Sequence, residues 1–417
     1  MRVTVFANTG PSRLLAALLL CIALPACVNQ TIKSTSVPAV QTPTTQVEES
    51  LLLDASIAIF DPGLEDYDEG VLVYPEVRKA EARYMPKLLS ESMADSGAWG
   101  AVRVVPSDRQ ISDLMVTGKI LYSDGEKLEL QIIATDSRDV EWLNKKYISR
   151  ASRYAYKASA RSHHDPFLAV YNTIANDLLK ILETLKARDR ENIRLVTELL
   201  FAQSFSPDAF DGYLEKNRTG QILVMRLPAE DDPMLERIRS IRDRDHVFID
   251  TMQGHYEGFN NQMLDPYQEW RKLSYEEAVA LQELKKESTQ RLIAGGLAVL
   301  AGIAAASSGD GYSRAAGNVA ILGGGYLLKS GLEKRNEAEI HVEALEELGQ
   351  SLEAEITPQV IELEDRTVML SGNVEDQYDQ WRELLADIYR AEIGELELPE
   401  ADLPKDSVDE PLDNQTY

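Results

Sequence analysis

Leu114-Met115-Val116-Thr117-Gly118-Lys119-Ile120-Leu121-Tyr122 leads through Ser123-Asp124-Gly125 into Lys127-Leu128-Glu129-Leu130-Gln131-Ile132. The first run reads as a strand, and Ser-Asp-Gly is a hairpin turn signal. In the second run polar and apolar residues alternate, the mark of a half-buried strand. Ser137-Arg138-Asp139 turns the chain again, and Val140 to Ile148 reads as a third strand.

Upstream, Ser56 to Phe60 is a short apolar run ended by Asp61-Pro62-Gly63, a strand and a turn. Pro75 opens a helix to about Ser96, with Val77, Ala80, Tyr84, Leu88 and Met93 at helical spacing. Pro86 should kink it, and Gly97 should end it. Ala101 to Val105 is a further strand, stopped by Pro106. Strand, helix, strand and meander predict an α+β fold over 51–160: an antiparallel sheet with a packed helix and one open face. The helix leading into Gly97-Ala98-Trp99-Gly100-Ala101-Val102, then Val116-Thr117-Gly118-Lys119-Ile120 and the Ser-Asp-Gly hairpin, resembles the small α+β domains of envelope accessory lipoproteins. These include auxiliary lipoproteins of lipid-transporting ABC systems and the N-terminal domain of TolB. The resemblance implies a binding or assembly module rather than an enzyme.

Residues 1–26 have the three parts of a signal peptide. Arg2 and Arg13 make a positive start, and Leu14 to Leu24 is an apolar run. That run is shorter than the roughly 20 residues that span a bilayer. Its end, Leu24-Pro25-Ala26-Cys27, resembles the lipobox of bacterial lipoproteins, although Pro25 stands where the family has a small or β-branched residue. The resemblance implies diacylglycerol on the Cys27 sulfur, cleavage before it, and acylation of the new amine. Each buried CH₂ contributes about 0.8 kcal/mol, so several chains anchor firmly. Val28 follows; in that family Asp there retains proteins at the inner membrane, so its absence implies outer-membrane sorting. Residues 27–50 are rich in Thr, Ser, Gln, Pro and Val and predict a lipidated flexible tether.

The chain of 417 residues is long enough for two or three domains, and 44% apolar residues suffice for a core. Its formal net charge of −26 becomes −28 once Arg2 and Arg13 are removed. That balance argues against nucleic acid or an anionic lipid surface as a general partner. Cys21 and Cys27 are the two cysteines, so the body after Cys27 has no thiol for a disulfide, a metal or a nucleophile.

Residues 161–290 predict a mainly helical domain. Asp165-Pro166 is a cap pair for a helix to about Lys186, with Leu168, Tyr171, Ile174, Leu178, Ile181 and Leu185 on one face. Ser206-Pro207-Asp208 predicts a short helix, Gln221 to Arg226 is strand-like, and Ser274-Tyr275-Glu276-Glu277 reads as a capping box for a helix towards Arg291. His163-His164-Asp165 is better used as a cap than as a metal site, because adjacent side chains point apart. Asp243-Arg244-Asp245-His246 reads as a solvated charged run, and His255 lies too far from His246 for a helical zinc pair. Tyr256, Phe259, Tyr267, Trp270 and Tyr275 form an aromatic patch at roughly helical spacing, which favours core over ligand platform. No Gly-Xaa-Ser-Xaa-Gly elbow or P-loop occurs, and Gly309-Asp310-Gly311 lacks the preceding strand of a phosphate loop. These readings call for no cofactor and no metal.

Residues 291–332 predict a glycine-rich apolar helical hairpin. Leu292 to Ala306 and Ala315 to Leu328 are uncharged runs of 15 and 14 residues around a polar Ser307–Arg314. Ala294, Ala298, Gly302 and Ala306 recur every fourth residue, as do Ala316, Ala320 and Gly324. Such spacing lets helix backbones approach closely. In water each glycine would weaken a helix by about 0.5–1 kcal/mol. The segment resembles glycine-zipper segments of envelope proteins, and both self-packing and membrane contact remain open for it.

Residues 333–394 predict a helix–strand–helix unit. Glu333 to Glu355 is a charged helix, followed by strand-like Gln359 to Leu363 and Arg366 to Val374, then a helix Asp376 to Tyr389. Val368-Met369-Leu370-Ser371-Gly372-Asn373-Val374 and the helix after it resemble the strand–helix core of BON domains, which implies envelope association and lipid binding. Residues 395–417 are acidic and Pro-containing, the composition of a disordered tail. The leading expectation is a non-enzymatic outer-membrane lipoprotein that binds an envelope protein partner or further copies of itself. An envelope hydrolase using paired carboxylates, and a lipid-carrier module with an apolar pocket in the first domain, are the alternatives.

Overall fold

The computed structural model describes residues 29–33, 37–45, 47–65, 74–152, 154–156, 165–229, 231–305, 347, 359–362, 367–392 and 394. In chain order the elements are β1 (Asn29–Lys33), a 3-10 turn (Glu49–Leu51), β2 (Ala55–Ala58), α1 (Pro75–Ala94), β3 (Val102–Val105), β4 (Leu114–Ser123), β5 (Lys127–Asp136) and β6 (Glu141–Arg150). Then follow α2 (Leu168–Thr184), α3 (Ala187–Phe205), β7 (Leu214–Lys216), β8 (Ile222–Val224), α4 (Pro233–Ala305), β9 (Gln359–Glu362), β10 (Thr367–Leu370) and α5 (Val374–Glu392). The class is α+β.

The meander forms as its alternation requires. β4, β5 and β6 pair antiparallel. Leu128, Leu130, Ile132 and Ala134 of β5 are fully buried against α1 and α2. The residues between them face the opposite side, where Glu129 pairs with both Lys127 and Lys146 and Gln131 bonds Asn144. That side is open over β5 and β6, but over β2 and β3 it is covered, where Ala58, Val104 and Val105 pack with residues of α3, α4 and α5.

The rest of the sheet corrects the antiparallel expectation. Its order is β1-β6-β5-β4-β2-β3, and β2 lies parallel to both β3 and β4. The α1 crossover makes the β2–β3 pairing feasible, since parallel neighbours need a long connection. All four residues of β2 are buried, as befits a strand enclosed on both faces. A helix-crossed pair and an antiparallel hairpin therefore share one sheet.

α1 continues through Pro86 as one helix from Pro75 to Ala94. Proline cannot donate to the carbonyl four residues back, which leaves Ala82 O open. The Phe60 amide takes that place at 2.9 Å, so the chain after β2 satisfies the gap. An alternative donor from another element preserves the helix.

The expected flexible tether is also corrected in part. Asn29–Lys33 adds to the sheet edge as β1, parallel to β6. Residues 38–44 then run along α2. Asn172 Nδ2 donates to Pro38 O at 2.9 Å, Asn176 Nδ2 donates to Ala39 O at 3.0 Å, and Gln41 N donates to Asn176 Oδ1 at 2.8 Å. Backbone groups without local periodicity were matched by side chains some 135 residues away in sequence, which no local pattern reveals.

α3 had no separate prediction. Ser206-Pro207-Asp208, expected to open a helix, lies after it in turns. The strand-like run at Gln221–Arg226 gives β8, paired with β7. The Ser274 capping box is overridden: Ser274 sits inside α4, a helix of 73 residues that crosses the predicted boundary at 290/291. The helix starts instead at Asp232, whose Oδ1 accepts from Met234 N at 2.9 Å.

The C-terminal strands β9 and β10 form an antiparallel pair. Asn373 and Asp376 cap α5 reciprocally, each backbone N–H donating to the other's side chain. α5 is not a separate unit. Trp381 stacks on Phe248 of α4 at 4.7 Å, and Tyr389 meets Phe205 of α3 edge-on.

The run Asp243–His246 is not uniformly solvated as expected. Asp245 is fully buried, accepting from Trp381 Nε1 and Gln110 Nε2. Burial raises its carboxyl pKa. Next to it, burial first, then Arg242 and Arg103, lower the His246 pKa from 6.5 to about 4. Between those values the unfolded chain binds a proton that the folded chain refuses, so His246 withdraws stability as pH falls through that window. Asp245 acts with the opposite sign, because its raised folded pKa takes up a proton on acidification. We expect His246→Gln to lose less stability than the wild type between about pH 7 and about pH 4.5, read by urea midpoints. Identical pH dependence of the two proteins would refute this role.

Candidate functional site

Two places gather chemistry-bearing groups. The first is a groove of about 1050 Å³ between the segment before β2 and the α2–α3 connection. One wall is Leu179 and Leu182 at the end of α2, with Leu185 after it. Leu51 and Leu52, in and after the 3-10 turn, form the facing wall, with Ala98 at the turn after α1. Leu179 and Leu182 are almost fully buried, and the others are at least half-buried. The last apolar residues of α2 belong to the core and border the groove at its edge.

Arg190, in the first turns of α3, lines the same groove and is 5% exposed. Its Nη2 donates to Leu182 O at 2.8 Å. Its Nη1 is buried and makes no hydrogen bond. Burial lowers its pKa, opposed by the charge of Glu183. Around the mouth stand exposed Glu48, Glu49, Glu183 and Glu191. Glu183 Oε1 accepts from both the amide and the hydroxyl of Thr44, and these bonds hold its carboxyl below the usual range. The groove thus has apolar residues along its walls and carboxylates at its mouth.

The second place is a buried ionic junction where α1, the β4–β5 turn, the start of α2 and α4 meet. Asp165 Oδ1 accepts from Phe167 N at 2.8 Å in the turn before α2; the helix itself starts at Leu168 with Phe167 at its cap, so the expected Asp165-Pro166 cap pair is displaced by two residues. Its Oδ2 accepts from Arg271 Nη1 at 2.6 Å and from the Tyr84 hydroxyl. Arg271 is fully buried, 3.9 Å over the Tyr267 ring and 4.9 Å over Phe167. Burial works against its charge, but Asp165 and the surrounding tyrosines outweigh it and keep the guanidinium protonated. Beside it Glu81 accepts from Ser123 Oγ at 2.5 Å and from the Tyr267 hydroxyl. These carboxylates converge inside packed core, where they fasten α4 to the sheet domain.

The aromatic patch supplies much of that core. Tyr256, Phe259, Tyr267 and Trp270 are buried, and Tyr275 packs its ring on Tyr156. Of the residues singled out for helix packing, Ala294, Ala298 and Gly302 fall on α4. Cys27, Ala306, Ala316, Ala320 and Gly324 lie outside the described residues, as do His163, His164, the second uncharged run and the 395–417 tail. Among the described residues no group of His, Cys, Asp or Glu could hold a metal ion, and no helix is long and apolar enough to cross a membrane.

Neither place was legible as a site in one dimension. The groove joins residues near 50 to residues near 190, and Leu185 carries the same periodic signal as any core residue. Arg190 sits in a charged stretch, Arg188-Asp189-Arg190-Glu191, that reads as solvent-facing. Its burial is the information that was missing. No protein-family model matches the chain, and a search of curated proteins finds no match.

Proposed function

We propose that this protein is a lipid-anchored, non-enzymatic component of the bacterial cell envelope, held on the periplasmic side of the outer membrane by acyl chains on Cys27. The observation that carries the reading is the Leu24-Pro25-Ala26-Cys27 box directly after an apolar run and a basic start. The α+β body is the binding module, and its partners are an envelope protein or another copy of the chain. β1 begins two positions after Cys27, so an anchored body would sit close against the bilayer rather than on a long leash.

α4 supports the second part of the reading. It makes its last described contact with the sheet domain around Ser274 and Tyr275. It then continues for 30 residues to Ala305, about 45 Å at roughly 1.5 Å per residue. Ala294, Ala298 and Gly302 share one face of that extension, the spacing that allows close approach of a second helix. In this reading the extension carries the self-association or membrane-contact segment.

Cys27→Ser should leave the precursor unprocessed and absent from the outer-membrane fraction, seen by labelling with palmitate and by density-gradient fractionation. Normal processing and unchanged fractionation of that variant would overturn the anchor. Replacing Ala298 and Gly302 together by Leu should shift oligomer size or detergent partition, measured by light scattering and phase separation. Unchanged values in both assays would remove the role of α4.

A further inference from the structure

Exposed apolar side chains are concentrated in the β7–β8 hairpin and the residues after it. Leu223, Met225 and Leu227 are 41%, 56% and 70% exposed. Leu223 and Met225 alternate with buried Ile222 and half-buried Val224, so they share the outer face of the hairpin, and Leu227 follows two residues on. A cluster of this kind marks a contact surface. Arg218 and Arg226 are exposed in the same segment, and Glu215 stands opposite Leu223 in the register. Apolar residues ringed by charges of both signs fit the boundary of a zwitterionic bilayer, where hydrocarbon begins just beneath the headgroup charges. The net charge of −26 opposes broad adsorption on an anionic surface and confines such a contact to this hairpin.

The place of the hairpin decides its partner. Ile222 N donates to Arg138 O at 2.9 Å, and Lys216 Nζ meets Asp139 at 2.7 Å, so the hairpin is fastened to the β5–β6 turn. β1 runs parallel to β6 with Asn29 beside Lys146, so its first residue points back towards that same turn. Cys27 precedes Asn29 by two residues in sequence. α4 docks on the β4–β5 turn, at the other end of β5, and its extension continues from there. The end of the sheet towards which the anchor points therefore carries the exposed apolar residues, and the long helix leaves from the far end.

We propose that the β7–β8 hairpin is a second membrane contact, in which Leu223, Met225 and Leu227 enter the headgroup–hydrocarbon boundary of a zwitterionic phospholipid surface and Arg218 and Arg226 meet its phosphates. The inference rests on the Cys27 anchor for which end of the body faces the membrane. Acyl chains alone leave the body free to pivot. A second contact fixes its tilt and directs the α4 extension away from the bilayer that holds it.

The mature full chain in phosphatidylcholine vesicles, with a polarity-sensitive dye on an introduced cysteine, tests it. Met225→Cys puts the dye in the hairpin. Lys79→Cys puts it near the start of α1, two residues before Glu81, which bonds Ser123 at the far end of the sheet. Both side chains are exposed, so the fold should tolerate either change. Doxyl-labelled phosphatidylcholine should quench the hairpin dye at least about threefold more than the α1 dye, and high salt should not abolish the difference. Adding Leu223→Ser and Leu227→Ser should bring the two positions close together. Equal quenching at both positions overturns the proposal, as does a difference that the serine pair leaves unchanged. A blue-shifted hairpin dye that doxyl lipid does not quench would mean that protein covers the hairpin, and overturns it too. The mass of the intact chain reads acylation of Cys27 separately. An unacylated chain with the hairpin quenching would remove the anchor and keep the contact; an acylated chain without it would do the reverse.

Discussion

Arg271→Met alone should destabilise the folded protein by about 3–5 kcal/mol, the usual effect of stranding a buried charge. Arg271 is fully buried and Asp165 nearly so, at 8% exposure. Removing the guanidinium leaves Asp165 facing Tyr84 as its one remaining side-chain donor, and it empties the space over Tyr267 and Phe167. The double variant Asp165→Asn with Arg271→Met should recover most of that loss. The amide keeps an acceptor for Phe167 N and carries no charge to desolvate. Urea unfolding of the two single variants and the double variant measures the coupling. Additive effects would show that the pair does not act as a unit, and the fastening role would be lost with it.

Gly125→Ala should be the next most damaging change. A methyl group there would collide with the Arg271 carbonyl oxygen and the Tyr275 amide nitrogen. Both are backbone atoms of α4 and cannot rotate aside. The hairpin tip would back away, breaking the bonds from Gly125 N to Ser274 Oγ and from Tyr156 Oη–H to Gly125 O. Overpacking of this kind costs about 1–3 kcal/mol, concentrated at one contact. Hydrogen exchange should accelerate in α4 around Arg271–Tyr275 while β5 stays protected. Uniform acceleration across the sheet, or none in α4, would contradict the proposed docking of the turn.

Both predictions concern the attachment of α4, the feature hardest to foresee. Ser274-Tyr275-Glu276-Glu277 has the composition of a helix start, yet its serine accepts a hydrogen bond from the β4–β5 turn in mid-helix. A capping serine is useful where helix N–H groups lack partners. Here the preceding turn of helix supplies them, so the signal is spent on a tertiary contact. Asp245 makes the same point for charge. Asp243 and Arg244 beside it are exposed, whereas Asp245 faces inward to Trp381 from an element more than a hundred residues later. Helical phase decides which of four adjacent polar residues is buried, and the phase was invisible without the helix's neighbours.

The Leu114–Ile148 meander, by contrast, was fixed by local pattern. Alternation sets which face of a strand is apolar, and Ser-Asp-Gly sets where it reverses, so β4, β5 and β6 need no distant information to pair antiparallel. The helix after Pro75 and the strand–helix near the C-terminus were specified in the same way, by apolar spacing and caps. Tertiary structure alone decided how β2 and β3 join the sheet, that Asn29–Lys33 pairs with β6, that Phe60 compensates Pro86, and that Arg190 is buried. Each of these depends on a hydrogen bond or a burial between segments far apart in the chain. Periodicity records which face of an element is apolar, but not what will cover it.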